Sequence, residues 1–361
     1  MNILLITQED FLAGSTFSVS FLAKGLAERG HNVYVAARKD SLLESLIQGS
    51  KATFLPITLR SRFDRAALRQ LRAWVNDLQL DIINAQSSKD RYLTIFAKKV
   101  YKFKVKVILT RRQYPLGDIG FLKTFFYSKG SDKIVVISEG LKEIFVKKGY
   151  SPKHLEVIHN GIPPERLTQW SPAKVDSIRK RFNLRESDVV VGCVSRLKKQ
   201  EQMIRAMAIV NDPSIKLLFA GFPAGALDDV IRETGLGNEV IYAGFVDKED
   251  VLSYYKVFTV NVLPSTSDGF GLVLLEAMAM GCPVIATNFG GIKDVVEHDA
   301  NGLLFEDNDV EQLATHINRL VSSRETRERL VQAGFDTVND KFTMEKTVSN
   351  WEAFFQRMIE T

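Results

Sequence analysis

Apolar runs recur along the chain, separated by segments of helical period. Before residue 175 they are NILLIT, NVYVAA, DIINA, VKVILT, KIVVIS and LEVIHN, and after it VVVGCVS, IKLLFAG, VIYAGF, FTVNVLP and PVIAT. Each run is continuous rather than alternating, which is the pattern of strands in a parallel sheet covered on both faces. The intervening FSVSFLAKGLAERG and residues 200–210 have the spacing of amphipathic helices. Strand–helix–strand units in series predict doubly wound α/β sheets. The series restarts after the turn-rich NGIPPERLTQWSPA. Two similar domains are therefore expected, over residues 1–168 and 173–342, facing each other across a cleft. A C-terminal helix over 343–361 carries Trp351, Phe354 and Phe355, which need a surface to cover, expected on the first domain.

Length agrees with this division, because 361 residues exceed one ordinary core. No apolar run has the length of a membrane-spanning helix. The opening MNILLIT lacks preceding basic residues and runs into TQED, so it reads as a first strand rather than a secretory leader. Cys193 and Cys282 read as buried thiols in a reducing compartment, and the expected location is the cytoplasm. Charge is split unevenly: residues 1–175 carry 28 Lys and Arg against 15 Asp and Glu, the remainder 20 against 28. Different partners for the two halves are expected from that asymmetry.

The stretch SDGFGLVLLEAMAMGCPVIATNFGG, residues 267–291, carries the most specific candidate chemistry. In open α/β sheets ligands bind beyond the carboxyl ends of strands, where helix N-termini present backbone N–H groups to anions. VNVLPST is such a strand end, Gly269, Phe270 and Gly271 form the turn, and LVLLEAMAM is the helix. Glycines at 269 and 271 let the backbone approach a ligand. The amides of residues 271–273 would hold a diphosphate. Glu276, about 7 Å along the axis at about 1.5 Å per residue, would accept hydrogen bonds from a sugar diol. Asp268 would face the other end of the ligand. The order sugar, diphosphate, ribose is that of a nucleotide-sugar. Taken singly, an Asp ahead of a helix is often only a cap, so the reading rests on the combination.

These residues resemble the two-carboxylate motif of the retaining glycosyltransferases of family GT4, which have the GT-B fold of two Rossmann-like domains. The similarity also runs through Gly14, RGHNVYV, DIINAQ, KIVVISEGL, VIHNGIP, the SRL turn, LLFAGF, AGFV, GCPVIAT and NGLLF. It implies transfer of a sugar from a nucleotide-sugar to an acceptor hydroxyl, with retained configuration, no cofactor and no metal. The first domain would bind the acceptor and the second the donor. By position, Glu276 would bind the ribose, Asp268 the donor sugar, and the Phe270–Leu272 backbone the diphosphate. Arg196, with Lys198 or Lys199, would clamp the diphosphate. The base would lie around Gly244–Val246 and Arg196, with a UDP-sugar favoured over GDP-mannose. On the acceptor side stand Gly14, Ser15 and Gln86. The chain departs from the family in having Asp268 for the usual Glu, Gln86 for a frequent His, and Ala13-Gly14-Ser15 for a glycine pair. Gln86 cannot take a proton at neutral pH. A retaining transfer tolerates that, because the leaving phosphate itself can accept the acceptor's proton.

Other chemistries fit poorly. His31, His154, His159, His298 and His316 lack metal-ligand spacing, and there is no nucleophile elbow or Walker loop. Three rivals remain: a sugar-nucleotide epimerase of the same fold, a non-catalytic glycan-binding relative, and more remotely a hydride-transferring oxidoreductase. For the acceptor, residues 97–130 carry nine Lys or Arg and the single acid Asp118, interleaved with Tyr101, Phe103, Tyr114, Phe121, Phe125, Phe126 and Tyr127. Such a mixture suits a membrane surface or an anionic glycolipid rather than nucleic acid. Arg111 and Arg112 directly follow the strand VKVILT and would meet phosphate or carboxylate. They also resemble a pair in family members that build bacterial lipopolysaccharide. The expected acceptor is an anionic or lipid-linked surface glycan, such as lipopolysaccharide core, met at the inner face of the inner membrane.

Overall fold

A computed structural model of the chain describes residues 1–8, 14–61, 64–114 and 120–360. Ala13 and Asp118, as well as the side chain of Phe121, lie outside the described residues. Contacts divide the chain into two units: Met1–Gly161 with Met344–Thr361, and Ile162–Thr343. The division falls before residue 168 because Ile162 bridges Thr343 and Arg166 bonds Glu276, all within the second unit.

The first unit contains β1 (Asn2–Ile6), β2 (Asn32–Ala37), β3 (Thr53–Pro56), β4 (Ile82–Ala85), β5 (Lys106–Arg111), β6 (Lys133–Val136) and β7 (Leu155–Val157). They form one sheet in the order β3-β2-β1-β4-β5-β6-β7, every pair parallel. The second contains β8 (Val190–Val194), β9 (Lys216–Ala220), β10 (Val240–Gly244), β11 (Val260–Leu263), β12 (Val284–Thr287) and β13 (Leu303–Phe305). Their order is β10-β9-β8-β11-β12-β13, again all parallel. The continuous apolar runs have this cause: residues such as Leu4, Leu5, Val191 and Val262 are fully buried because helices cover both faces.

Chain order reverses between β1 and β4 in one sheet and between β8 and β11 in the other. Loops leaving the carboxyl ends of such neighbouring strands part to opposite faces, which opens a crevice for ligands. Helix starts near these edges are capped by short polar side chains. Ser87 and Asp90 form a capping box for helix Ser88–Tyr101, and the Ser138 hydroxyl accepts the Leu141 amide at the start of helix Glu139–Lys147.

Helix Met344–Glu360 belongs to the first unit and buries Trp351, Phe354 and Phe355 against a core that includes Leu22 and Leu26. Each such side chain contributes on the order of 2–3 kcal/mol by leaving water. Glu352 ties the helix down, accepting Arg29 Nη1 and facing His31 Nε2, each at 2.7 Å. Both cysteines are buried thiols.

Candidate active site

In the second unit the reversal point gathers the candidate residues from three strand ends. β8 leads into Ser195 and Arg196, β9 into Gly221, and β11 into the turn that carries Asp268. Gly221 has φ +118°, and a Cβ there would lie 2.4 Å from the Ser195 carbonyl oxygen. Glycine alone lets the two loops pack this closely. Gly271, at φ +90°, turns the chain into helix Leu272–Ala279. Leu274 and Leu275 amides already bond to the Gly271 carbonyl, so Leu272 and Val273 are the first-turn amides that a helix start offers to an anion. Phe270 contributes only backbone there, because its ring is buried edge-on against Phe342 at 5.6 Å.

Leu274, Leu275, Ala277 and Met278 are buried, which fixes the rotation of the helix and leaves Glu276 on its half-buried side. Glu276 Oε1 accepts Arg166 Nε at 2.9 Å, and Arg166 in turn reaches the Gln169 amide oxygen and the Lys248 carbonyl. At the other end of the turn, Asp268 Oδ2 is 2.5 Å from Lys198 Nζ. Each carboxylate is thus balanced by one cation. Lys199, the neighbour of Lys198, points elsewhere: it pairs with Asp307, which also accepts Gln202. Arg196 is exposed and lines a cavity of about 240 Å³ with Glu276, Arg166, Lys248, Gly221, Val246 and Val273. Burial, reinforced by repulsion from Arg166, pushes the Lys248 ammonium down to about 8, while Glu276 opposes the shift.

Arg166, Lys248 and Gly221 are absent from the residues chosen by sequence. Arg166 lies in the Pro-rich NGIPPERL segment, which announces a boundary, and nothing local links it to a glutamate 110 residues away. Gly221 ends the apolar run LLFAG, and a glycine closing a strand signals close backbone approach.

In the first unit, β4 ends before Gln86, while Arg111 closes β5 and Arg112 follows it. Together with Ser15 they line a cavity of about 230 Å³ that includes Ser88, Arg91, Gln113, Tyr114, Lys123 and Tyr127, and no Asp or Glu among the described residues. Gly14 is the first residue of helix Gly14–Glu28 rather than part of a described turn, and accepts the Ser18 hydroxyl at 2.8 Å. Arg112 donates to the Gln86 side-chain oxygen, and Arg91 donates to the Gln86 and Thr110 carbonyls at 3.2 and 2.8 Å. Gln86 Nε2 is buried with no hydrogen-bond partner among the described residues. Arg111 lies over the rings of Phe145 and Tyr127 at 5.0 and 5.9 Å. Burial, with Arg91 nearby, pushes its guanidinium down to about 10. Asp90, fully buried, accepts the Gln86 and Ser87 amides at 2.8 and 2.7 Å. Burial raises its carboxyl to about 6 against those hydrogen bonds.

The described residues of the basic and aromatic stretch from 97 to 130 do not form one surface. Lys98 pairs with Asp132, Lys99 sits over Phe126, Tyr101 stacks on Phe103, and Tyr127 is buried. Leu122 and Phe125 are exposed at 81% and 51%. Phe125 lines a groove with Lys129, Lys133, Lys147, Lys148, Lys153 and the acid Asp132. No helix among the described residues is long and apolar enough to cross a membrane.

Two α/β units with a reversal-point site in each define a class before any comparison with known proteins. Those comparisons agree. The family described as Glycosyltransferase Family 4 matches residues 13–166, and Glycosyl transferases group 1 matches residues 174–337. The chain belongs to these GT4-type glycosyltransferases. It is 30% identical over 221 residues to the uncharacterized glycosyltransferase MJ1607 of Methanocaldococcus jannaschii, a match that spans 59% of this chain and 57% of that one. It is 23% identical to N-acetyl-alpha-D-glucosaminyl L-malate synthase of Bacillus anthracis, over 98% of this chain and 96% of the relative. Alr3699/HepE of Anabaena, solved in complex with UDP, matches with a TM-score of 0.80 at 20% identity, over 99% of this chain and 100% of that one. The fold is GT-B.

Proposed function

We propose that the protein transfers a sugar, with retained configuration and without a metal, from a nucleotide-sugar to a hydroxyl of an anionic acceptor. The observation that carries this reading is the pair of balanced carboxylates, Asp268 with Lys198 and Glu276 with Arg166, on either side of the Gly269–Leu272 turn. Glu276 would hold the ribose diol. The Leu272 and Val273 amides, Arg196 and Lys198 would hold the diphosphate, Asp268 the donor sugar, and Val246 would border the base. Positive charge preorganised at the departing diphosphate stabilises the transition state. The bond from the anomeric carbon to the phosphate oxygen breaks as the acceptor oxygen bonds to that carbon. The acceptor's proton passes to the leaving phosphate, so no side chain need act as base. A uridine donor is favoured, in keeping with the Anabaena protein's structure with UDP.

The acceptor would occupy the cavity at Gln86, Arg111 and Arg112, and the cations of its described lining favour phosphate or carboxylate. The Bacillus relative is named for a product of malate, a dicarboxylate. A bacterial surface glycan, carried on lipid or in lipopolysaccharide core, meets the same requirement. Leu122, Phe125 and the neighbouring lysines would then rest on the inner, cytoplasmic face of an anionic membrane. Binding to liposomes that ignores anionic lipid and salt would remove that last part.

The test of the whole is a thermal shift with UDP, GDP and ADP, followed by acceptor-free hydrolysis of a nucleotide-sugar panel with and without EDTA. Stabilisation by one nucleoside diphosphate and EDTA-resistant hydrolysis are expected. No stabilisation by any of them would overturn the reading.

A further inference from the structure

Glu276 is not an isolated acid waiting for a ligand. Its Oε1 is held by Arg166 Nε at 2.9 Å, and Arg166 is itself buried, with its Nη1 shared between the Gln169 side-chain oxygen and the Lys248 carbonyl. Besides Glu276, two acceptors, the Gln169 side-chain oxygen and the Lys248 carbonyl, determine where this guanidinium lies, so it fixes one carboxylate oxygen in turn. An ionised carboxylate offers about four acceptor sites. Among the described residues no hydrogen bond reaches Oε2. A charge held this way in a half-buried cavity keeps its geometry when a ligand arrives, and preorganisation lowers the cost of binding.

We propose that Arg166 is a positioning residue for the donor: by fixing Glu276 Oε1 it presents Oε2 to the vicinal diol of a ribose, and so makes the site select ribonucleotide over deoxyribonucleotide donors. This rests on the reading of Glu276 as the ribose acceptor. A site built to bond a hydroxyl rejects the analogue that lacks it, because its own polar atom is then left without a partner. Freed from Arg166, the carboxylate would turn to solvent and bond a diol or a single hydroxyl with little difference.

The experiment compares binding of UDP and 2′-deoxy-UDP by calorimetry in the full chain, for wild type, Arg166→Ala, Arg166→Lys and Gln169→Ala, with thermal midpoints recorded alongside. Wild type should prefer UDP by about tenfold or more, the size of one good hydrogen bond to a charged group. Arg166→Ala should weaken UDP by about tenfold and bring the ratio close to one. Arg166→Lys should recover part of the ratio, and Gln169→Ala should lose part of it. Should Arg166→Ala not fold, the last two variants decide. Wild type that binds neither UDP, GDP nor ADP defeats the donor reading itself. Wild type that discriminates, with variants that keep its ratio while losing only thermal stability, overturns the role of Arg166.

Discussion

The two reversal-point sites handle charge in opposite ways. In the second unit each carboxylate has a cation beside it, Asp268 with Lys198 and Glu276 with Arg166. In the first, Arg91, Arg111, Arg112 and Lys123 line a cavity with no acid among its described lining residues, and Arg111 leans on aromatic rings. Paired carboxylates with the further cations Arg196 and Lys248 beside them suit a ligand that is anionic at one point and polar elsewhere. A cavity whose described lining is rich in cations favours an anionic ligand, since buried charge is costly until it is paired. Under the proposed function, the nucleotide-sugar belongs to the second unit and an anionic determinant of the acceptor to the first.

The comparison breaks most sharply at Arg196 and Lys198, the cations proposed to meet departing charge. Arg196→Ala and Lys198→Ala are each expected to lower kcat by about 10²-fold or more, the effect of removing one preorganised stabiliser. Steady-state kinetics at saturating donor reads this directly. A change confined to KM would mean that these residues bind ground state and transition state alike.

Much of the fold behind these sites was legible in the sequence, because strands buried on both faces need unbroken runs such as VVVGCV and DIINA. The turn and helix from Asp268 to Glu276 were legible too, since glycines and an apolar helix bracket the two acids. Arg166 was not, because an arginine after two prolines looks solvated until the fold buries it at 6% exposure. Residues 97–130 were legible only in part. An aromatic stripe does not reveal which of its members will be covered, and Tyr127 is buried while Phe125, two residues earlier, is not. Nor could spacing separate Lys198 from Lys199, because outside a helix adjacent side chains diverge.

Asp90 tests the first unit's side of the comparison through stability. Its carboxyl is raised from 3.8 to about 6, so between those values the folded state holds a proton that the unfolded chain has lost. Its contribution to stability is therefore full below the unfolded value and is lost as pH rises through about 6, at most about 3 kcal/mol at 1.36 kcal/mol per unit. Chemical denaturation of wild type and Asp90→Asn should show a gap that widens as pH falls from 7 to 4. A gap that stays constant would mean that the two backbone amides hold Asp90 ionised despite its burial.

The anion requirement is sharpened by Arg111→Ala and Arg112→Ala. Each should raise KM for a charged acceptor about tenfold, on the scale of one charge-assisted hydrogen bond. Acceptor-free hydrolysis of the donor should stay near wild type, because neither residue lies in the second unit. Loss of hydrolysis in these variants would contradict the division of labour.

The smallest effect is expected at Lys199, and it is informative for that reason. Lys199 and Asp307 are each about 30% exposed and pair with one another beside Gln202, away from the Asp268 turn. A half-exposed ion pair of this kind contributes roughly 0–1 kcal/mol to stability. Lys199→Ala should therefore cost little stability and change kcat by less than about twofold, against the loss of about 10²-fold expected for Lys198→Ala. The contrast between neighbouring lysines isolates geometry from charge, since both substitutions remove one cation from the same loop. Equal losses in the two variants would mean that the loop's overall potential, rather than the Lys198–Asp268 contact, supports the chemistry.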